Sequence, residues 1–432
     1  MTHDFHARFS LPLAEMTTQA LAVQWLAGET NRPPPNWPDL ALIEDPMARL
    51  DILAQAMVTP QLERARSGTR EQSGGYRLWV EQRAQTFLQQ RRKWMQQLGL
   101  EPRLPDLTQL TSGAWALHLP FSLRHPYISR DDQTFHLLDN PLKKERIFKV
   151  PYVAAPGWKG ALRAALRQLG YRADHEATIR LFGNPRESEE QQAGRLFFFP
   201  TFFDRLGLEV INPHDRKTGV GARGPILLEC VPQGATGDFL LLYVPFGQPD
   251  QSEDERRATI ATDLQVVCEG VRAMLTTYGF GAKTSSGFGT AEEQLAGAGK
   301  LAIRARLVGG MTASSAQPLP QQPELPRYLE SPTRLHPDLR REDGTLKSEA
   351  EYQALIESRG QTYGKKDKQR YAKAKSWWER EGQALAQQAS EPTPEPAPPE
   401  TPAVAEYTFT TLQELVKMAE KVAKQLRTGS NT

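Results

Sequence analysis

Alternation of apolar and polar residues predicts a strand near residue 115. The apolar side chains occupy every second position, as expected for a strand with one buried face: Trp115, Leu117, Leu119 and Phe121. Runs of apolar, β-favouring residues predict further strands at 195–200, 225–231 and 238–246. A closing strand is expected within 287–295, and 301–308 is expected to add an edge strand.

Two helices are predicted between these strands. A glycine-led segment, 157–170, follows the first strand, and a longer segment, about 255–277, precedes the closing strand. The order strand, helix, strand, strand, helix, strand is the ferredoxin-like motif. The predicted fold class is therefore α+β, with a ferredoxin-like core over 108–308. Such a fold fixes no function by itself, although its sheet face and helix-start loops serve other proteins as RNA platforms.

Residues 1–107 are predicted to form a helical N-terminal extension. The stretch 76–98 contains no proline and is rich in Gln, Arg and Leu, which favour helices. Trp79 and Trp94 fall on its apolar positions and are expected in the helix core. The proline-rich residues 31–38 are expected to form a loop. The basic cluster Arg91–Lys93 fits either a solvated face or an RNA contact.

The chain beyond 308 changes in composition. Residues 309–389 are predicted to be a polar and basic extension, and 390–403 a proline-rich linker that is disordered or semi-extended. Residues 404–432 are predicted to be a C-terminal amphipathic helix, with helical residues over 404–428. Its apolar stripe consists of Leu412, Leu415, Val416, Ala419, Val422 and Leu426. One short helix cannot bury such a stripe alone, so docking on this chain or on a partner is expected.

Composition narrows the choice of function only slightly. A chain of 432 residues is expected to contain more than one compact unit, and 33 prolines point to long connections. The net charge of +2 requires any RNA-binding surface to be local. Cys230 and Cys268 have neither metal-site spacing nor a disulfide framework. No signal peptide or apolar run of about 18 residues is evident, so a soluble cytoplasmic protein without membrane contact is expected.

The segment 278–290, YGFGAKTSSGFGT, is the most informative part of the chain. Four glycines share it with a single lysine, Lys283: Gly279, Gly281, Gly287 and Gly289. Glycine permits positive φ and lets backbone N–H groups approach an anion. A lysine in such a loop supplies a point charge for phosphate. An ordinary structural turn explains the glycines equally well.

A second glycine-containing segment, 156–167 (PGWKGALRAALR), combines a predicted Pro-Gly turn with a Lys-Gly pair before a helix. It belongs to a basic stretch, 141–167, in which Glu145 is the single acidic residue. Trp158, Phe148 and Tyr152 interleave with these charges and could stack on bases. Basic residues beside a helix start suit a nucleic-acid backbone. Alternatively, the arginines simply face water.

These segments resemble the RAMP superfamily of CRISPR-associated proteins, which are RNA-binding proteins with ferredoxin-like, RRM-related folds. GFGAKTSSGFG (279–289) is similar to the glycine-rich loop that follows the last helix in that family. PYVAAPGWKGALR (151–163) is similar to the loop at the start of the first helix, with Trp158 where the family usually has small residues. GRLFFFPTFF (194–203) and EVINPHDRKTG (209–219) resemble segments of type III effector subunits.

The resemblance implies a non-catalytic subunit of a type III CRISPR effector complex, most similar to terminal backbone subunits of Cmr complexes. Such a subunit binds guide crRNA, caps the backbone of the complex and takes part in antiviral defence. The implied partners are crRNA, other RAMP subunits and, through the complex, target RNA. No cofactor and no metal are expected. The alternative is a RAMP endoribonuclease that processes precursor CRISPR RNA, and a weaker option is a subunit that cuts target RNA with Mg²⁺.

The predicted RNA contacts lie in the basic stretch, in the glycine loop and in a polar segment, 212–223, that fits either a surface hairpin or an RNA-contacting thumb. They are Lys143, Lys144, Arg146, Lys149, Gly157, Trp158, Lys159, Gly160, Arg163, Arg167, His214, Arg216, Lys217, Arg223, Gly279, Gly281, Lys283, Thr284, Ser285, Gly287 and Gly289.

Catalytic residues are not expected. Metal-free RNA cleavage needs an acid–base pair, and the spacing of the candidate histidines defines none: His118, His125, His136 and His214. The weak candidates are His118, His214 and Asp132; the last lies with Asp131 and Asp139 where related subunits carry a metal-binding aspartate. A Walker A loop is excluded because Ala282, not glycine, precedes Lys283.

Overall fold

The computed structural model describes residues 20–56, 62–67, 74–131, 136–138, 140–184, 192–212, 226–246, 251–305, 311–312, 326, 328–331, 334–341, 345–359, 362–382 and 404–428. By its contacts the chain divides into a main unit, 1–313 with 402–432, and an inserted unit, 314–401. The inserted unit thus interrupts the main unit in sequence.

Eleven α-helices occur in the part of the chain that the structure describes. They are α1 (Ala20–Leu26), α2 (Pro46–Ala56), α3 (Leu62–Ser67), α4 (Gly75–Gln82), α5 (Ala84–Gln97), α6 (Ala155–Gln168), α7 (Glu176–Phe182), α8 (Glu253–Ala273), α9 (Glu349–Ser358), α10 (Lys365–Trp377) and α11 (Leu412–Thr428). The first five lie in the region predicted to be helical, and α6 and α8 are the two helices predicted between strands.

Twelve strands occur in the same described ranges. They are β1 (Trp115–Ser122), β2 (Tyr152–Val153), β3 (Leu196–Phe198), β4 (Thr201–Phe202), β5 (Gly207–Ile211), β6 (Ile226–Cys230), β7 (Thr236–Tyr243), β8 (Gln294–Arg304), β9 (Met311–Thr312), β10 (Leu329–Ser331), β11 (Arg334–Leu335) and β12 (Val404–Thr411). β2 pairs with β4, β5 with β6, and β10 with β11.

The main sheet has six strands in the order β3-β7-β1-β8-β12-β9, and all neighbours are antiparallel. β1 pairs with β7 along its whole length, from Trp115 opposite Tyr243 to Ser122 opposite Thr236. The alternating residues of β1 are fully buried on the face that α6, α8 and α11 cover: Trp115, Leu117, Leu119 and Phe121. The predicted α+β class is confirmed by this antiparallel sheet and its helices.

The opposite face of the sheet is partly covered by an irregular segment. Residues Leu104, Leu107 and Leu110 pack against Ala116 of β1 and Ala302 of β8. This end of the sheet face is therefore closed to a ligand. It differs from the open sheet face by which RRM folds stack bases.

A buried carboxylate fixes α8 against the rest of the main unit. Asp263 accepts two hydrogen bonds from Arg180 Nε, at 3.0 and 3.1 Å, and one from the Tyr243 hydroxyl at 2.7 Å. Arg195 lies 3.5 Å from the same carboxylate. Burial and the charge of Asp263 raise the pKa of Tyr243 above its usual range. These contacts join α8 to α7, to β7 and to Arg195, which directly precedes β3.

The predicted closing strand is wrong in its bounds. β8 begins at Gln294 rather than at 287, because the residues before it form a tight glycine-rich loop. The edge strand predicted separately at 301–308 is the second half of β8, which ends at Arg304. The single strand β8 therefore replaces the two predicted strands.

The stretch 76–98 is helical as predicted but is interrupted at Arg83, which separates α4 from α5. Arg83 leaves helical geometry, with φ −129° and ψ −25°. Its guanidinium donates hydrogen bonds to the carbonyls of Gly28 at 2.8 Å and Glu29 at 3.2 Å. A contact with a distant loop thus accompanies the break between the two helices.

The two tryptophans of this region differ in burial. Trp79 is buried, as predicted, but Trp94 is 40% exposed and does not lie in the core. The Arg91 guanidinium lies 4.7 Å from the ring centre of Trp94 and pairs with Asp45. Arg92 pairs with Glu101 at 2.8 Å. Two of the three basic residues at 91–93 are therefore held in ion pairs.

The C-terminal prediction of helix from residue 404 is wrong for 404–411, which form β12. This strand pairs with β8 on one side and β9 on the other, with Ala405 opposite Ile303. The helix begins at Leu412, and its stripe docks in the core of the main unit, mainly against α8: Leu412, Leu415, Ala419, Val422 and Leu426. The linker predicted at 390–403 lies outside the described residues.

The inserted unit has a small core of its own. Its buried residues come from β11, a short turn, α9 and α10: Leu335, Leu339, Tyr352, Ile356, Tyr371, Ala374 and Trp377. The Tyr352 and Tyr371 rings stack with centres 5.9 Å apart. Part of the region predicted as a polar and basic extension is therefore folded.

Leu415→Ala should lower the free energy of unfolding of the main unit by about 2–5 kcal/mol, because Leu415 is fully buried in the core of that unit. Urea unfolding followed by circular dichroism measures this change. The exposed Gln413 on the same helix is the control, since Gln413→Ala should change stability by no more than about 0.5 kcal/mol. Equal stability of the two variants would contradict docking of α11.

Candidate nucleic-acid interface

The glycine loop follows α8 through a π-helical turn, Met274–Tyr278. Gly279, Gly281 and Gly289 have φ values of 74°, 88° and 69°, in the region that favours glycine. A Cβ on Gly289 would lie 1.9 Å from the Phe280 carbonyl oxygen, and one on Gly281 would lie 2.5 Å from the Tyr127 ring. These glycines are therefore required by the turn itself.

Lys283 occupies the exposed tip of this loop. Its backbone is left-handed, with φ 57° and ψ 31°, and a short 3-10 turn, Thr284–Ser286, follows it. Within the described residues, the N–H groups of Lys283, Thr284 and Ser285 donate to no acceptor. Consecutive free N–H groups beside an ammonium form a concave site for an anion. Gly287 is exposed too, and a Cβ there would meet no atom within 4 Å.

An aromatic contact joins this loop to the start of α6. The rings of Phe280 and Trp158 lie 4.5 Å apart, and Phe280 also packs against Tyr127 at 5.4 Å. Trp158 is fully buried, and its indole nitrogen donates to Thr201 Oγ1 at 3.0 Å. The expectation that Trp158 stacks on bases is therefore wrong. Its position holds the two glycine-containing segments together.

The predicted Pro-Gly turn is the first turn of α6, which begins at Ala155. Gly157 and Gly160 are therefore helical, and a Cβ on Gly160 would meet nothing within 4 Å. Helical spacing of four residues places Lys159, Arg163 and Arg167 on one face of α6.

Arg163 and Arg167 on this basic face are exposed, and Lys159 is half-buried. Burial and the neighbouring Arg163 charge lower the pKa of Lys159 from its usual value. The basic face therefore presents the exposed guanidinium groups of Arg163 and Arg167, and the half-buried ammonium group of Lys159 lies nearer the start of the helix.

The basic stretch before α6 does not act as one surface. Lys144 is buried and forms an ion pair with Glu229, so the prediction that it binds RNA is wrong. Lys149 has a positive φ of 57°, and its Nζ lies 3.9 Å from Asp51 Oδ2. Arg146 is exposed at the tip of a turn, and Lys143 is half-buried. Phe148 and Tyr152 pack against the core, with the Tyr152 ring stacked 6.0 Å from Phe202.

Glu229 explains the burial of Lys144. This fully buried carboxylate also accepts hydrogen bonds from the Tyr76 hydroxyl and from the Leu142 N–H at 2.7 Å. Burial alone would raise the pKa of Glu229, but the charges of Lys144 and His136 hold it below its ordinary value. Burial lowers the pKa of His136. His136 therefore belongs to a structural network that ties α4 to the sheet region.

Two further exposed arginines, which no motif in the sequence indicates, lie beside the glycine loop. The N–H of Arg124 donates to Thr290 O at 2.8 Å, and Ala282 N–H donates to Ile128 O at 2.7 Å, two residues before Arg130. Arg124 and Arg130 are both exposed. Their proximity depends on pairing across more than 150 residues. In the sequence, only the positive charge of Arg124 and Arg130 marks them as candidates for contact with RNA.

Of the remaining candidates within the described residues, one histidine reaches the glycine loop and another does not. His125 Nδ1 lies 2.7 Å from Thr290 Oγ1 at the end of the glycine loop. His118 lies on the other face of the sheet, with Nε2 3.0 Å from Asp238 Oδ1. Five predicted residues, and with them Asp139, fall outside the described residues: Asp132, His214, Arg216, Lys217 and Arg223.

The described ranges also bear on metal binding and on membrane insertion. They contain no group of three or more His, Cys, Asp or Glu side chains suited to holding a metal ion. Among the helices that the structure describes, none has the length and apolarity needed to span a membrane.

Comparison with known proteins identifies the family. The RAMP superfamily sequence profile matches residues 77–292, half of the chain, and the protein belongs to this superfamily. The resemblance of its glycine-containing segments to RAMP proteins is thereby confirmed. No curated protein sequence is significantly similar to the chain.

Similar solved structures come from CRISPR complexes. One is a chain of the type III-B Cmr-beta complex bound to cognate target RNA, at 13% identity and TM-score 0.34, covering 67% of this chain and 92% of that one. A CRISPR RNA-guided surveillance complex matches at 17% identity and TM-score 0.29, covering 44% and 69%. The Csm3-Csm4 subcomplex in the type III-A CRISPR-Cas interference complex matches at 14% identity and TM-score 0.27, covering 44% and 78%.

Gly289→Ala should destabilise the main unit by more than about 2 kcal/mol, because positive φ and the Phe280 carbonyl both oppose a Cβ there. Gly287→Ala is the matched control. It has positive φ but open space and should cost only about 1–2 kcal/mol. Urea unfolding of both variants measures the difference. Equal losses would show that the close approach of Gly289 to Phe280 does not exist in solution.

Proposed function

We propose that this chain is a non-catalytic RNA-binding subunit of a type III CRISPR effector complex, where it binds guide crRNA and caps the backbone. RAMP membership and the similarity of 194–203 and 209–219 to type III subunits support the proposal. The observation that carries it is the packing of Phe280 on Trp158, which joins the glycine loop carrying Lys283 to the first turns of α6, the helix that carries the basic face.

The fold is consistent with this assignment. We interpret β8-β1-β7-β3, with α6 and α8, as a ferredoxin-like core, because its chain order and antiparallel neighbours follow that motif. β12 and β9 extend the core beyond β8. Since Leu104, Leu107 and Leu110 close one end of the sheet face, we expect RNA at the glycine loop and α6 instead.

The chemistry of the proposed site favours contact with phosphates over recognition of bases. Lys283, Lys159, Arg163 and Arg167 supply positive charge, and free N–H groups follow Lys283. Phosphate contacts position a nucleic acid without reading its sequence. This suits a guide RNA whose sequence varies from one complex to the next. The proposed partners are crRNA, other RAMP subunits and, through the complex, target RNA, in the cytoplasm.

Lys283→Ala and Lys159→Ala should each weaken guide-RNA binding without unfolding the protein. Each lost phosphate contact should reduce the slope of log affinity against log salt by about 0.7 for a single strand. Fluorescence anisotropy of a labelled crRNA over a salt series measures this slope. Lys421→Ala, an exposed lysine on α11, is the control and should leave it unchanged. Unaltered affinity and slope in both loop variants would overturn the proposed site.

The runner-up function is a RAMP endoribonuclease, and one observation favours it. A carboxylate orients a histidine in many acid–base sites, and His118 has Asp238 as such a partner at 3.0 Å. Lys300 lies directly opposite His118 on β8 and could stabilise negative charge. No second histidine completes an acid–base pair among the described residues around His118.

We expect the purified protein to bind a repeat-containing RNA stably, without cleaving it, in the presence of a chelator.

Four histidine variants should each leave RNA cleavage by an assembled complex intact: His118→Ala, His125→Ala, His136→Ala and His214→Ala. Denaturing gel electrophoresis measures the products. Two results together would favour the endoribonuclease. The RNA would be cut without metal at a fixed repeat position, and the cleavage rate would fall at least a hundredfold in a folded His118→Ala variant.

A further inference from the structure

The inserted unit carries a strongly basic helix outside the residues that match the RAMP profile. α10 contains six Lys or Arg residues and one acidic residue, Asp367. The carboxylate of Asp367 accepts a hydrogen bond from the Gly364 N–H at 3.0 Å and so is engaged at the helix start. The helix therefore has an excess of positive charge that its own sequence does not balance.

The unit's core fixes which face of α10 is presented to solvent. Tyr371, Ala374 and Trp377 are buried against α9 and the preceding turn. Five lysines are exposed around the remaining surface: Lys365, Lys366, Lys368, Lys373 and Lys375. Packing therefore leaves the ammonium groups on the solvent side.

Two acidic residues of the inserted unit form ion pairs with arginines. Asp338 lies 3.0 Å from Arg359 and 3.7 Å from Arg370. Glu351 pairs with Arg341 at 2.6 Å. Across the described part of this unit, none of the five lysines forms an ion pair; Lys368 instead lies 5.9 Å from the centre of the Tyr363 ring. Arginines thus neutralise these two acids, and the lysines of α10 remain available to an external anion.

The lysines are arranged in two rows along the helix. Lys366 and Lys373 form one row, and Lys368 and Lys375 form the other, each pair two turns or about 10 Å apart. Between the rows lie Lys365, at the helix start, and then three exposed uncharged residues: Gln369, Ala372 and Ser376. A polyanionic backbone can therefore approach the helix closely between two lines of ammonium groups.

We propose that this face of α10, the lysine face, binds the phosphate backbone of single-stranded RNA as a second RNA contact of the chain. A membrane surface fits less well, because an interfacial helix needs a large apolar face toward lipid, and the aromatic residues of α10 are buried. Lysine contacts made at several phosphates give sequence-independent, salt-sensitive affinity.

The test uses the full-length protein and a fluorescent 30-nucleotide oligouridylate, with anisotropy measured over a salt series. The triple variant Lys366→Gln, Lys373→Gln and Lys375→Gln should reduce the salt slope of binding by about 2, at about 0.7 for each lost contact. The same reduction should occur in the Lys283→Ala background, which separates this face from the proposed site on the main unit.

The matched control removes three exposed lysines from α11: Lys417→Gln, Lys421→Gln and Lys424→Gln. These lysines are interspersed with Glu414 and Glu420, so the control should leave the slope unchanged. Equal thermal unfolding of both triple variants excludes a folding defect. In the unmutated protein, oligouridylate should slow hydrogen exchange of amides in 365–377.

An unchanged salt slope in the lysine-face variant, or an equal reduction in the α11 control, would overturn the proposal. Binding of phosphatidylserine vesicles that depends on the same three lysines, with RNA binding unaltered, would also overturn it and indicate a membrane surface instead.

Discussion

The contact between Trp158 and Phe280 is the constraint on which the candidate site depends. Trp158 belongs to the first turns of α6, and Phe280 belongs to a loop more than 100 residues later, yet their rings are 4.5 Å apart. Phe121 and Phe239 from neighbouring strands pack against Trp158 and complete the cluster. Because these rings are buried and in contact, they hold together the two segments that carry Lys159 and Lys283.

The tight glycine loop could be predicted from the sequence because its turn geometry is local. Four glycines within eleven residues predict a turn with positive φ, which Gly279, Gly281, Gly287 and Gly289 adopt. Lys144 shows the limit of such inference. Its burial depends on Glu229, 85 residues away, and no local pattern distinguishes a lysine that pairs with a buried carboxylate from one that faces solvent.

The elements of the fold that could be predicted are likewise those that depend on local sequence patterns. Alternation in β1 and helical spacing in α6 and α8 were sufficient to predict the α+β class. Ala405, Tyr407 and Phe409 alternate with polar residues in β12 and are buried, but the stronger helical stripe that follows them favours a helix for the whole segment. The place of β12 between β8 and β9 depends on pairing across the whole inserted unit, which periodicity cannot reveal.

The interruption of the main sheet has a consequence for protein synthesis. β12 follows β8 by about 100 residues, so a ribosome adding about 5–20 residues per second takes roughly 5–20 s to produce it after β8. During that interval one edge of β8 lacks its final neighbour, and an unpaired edge can recruit strands from other chains. Nascent chains are therefore most exposed to misassembly while the inserted unit is being translated, and a chaperone that covers this edge would act in that period.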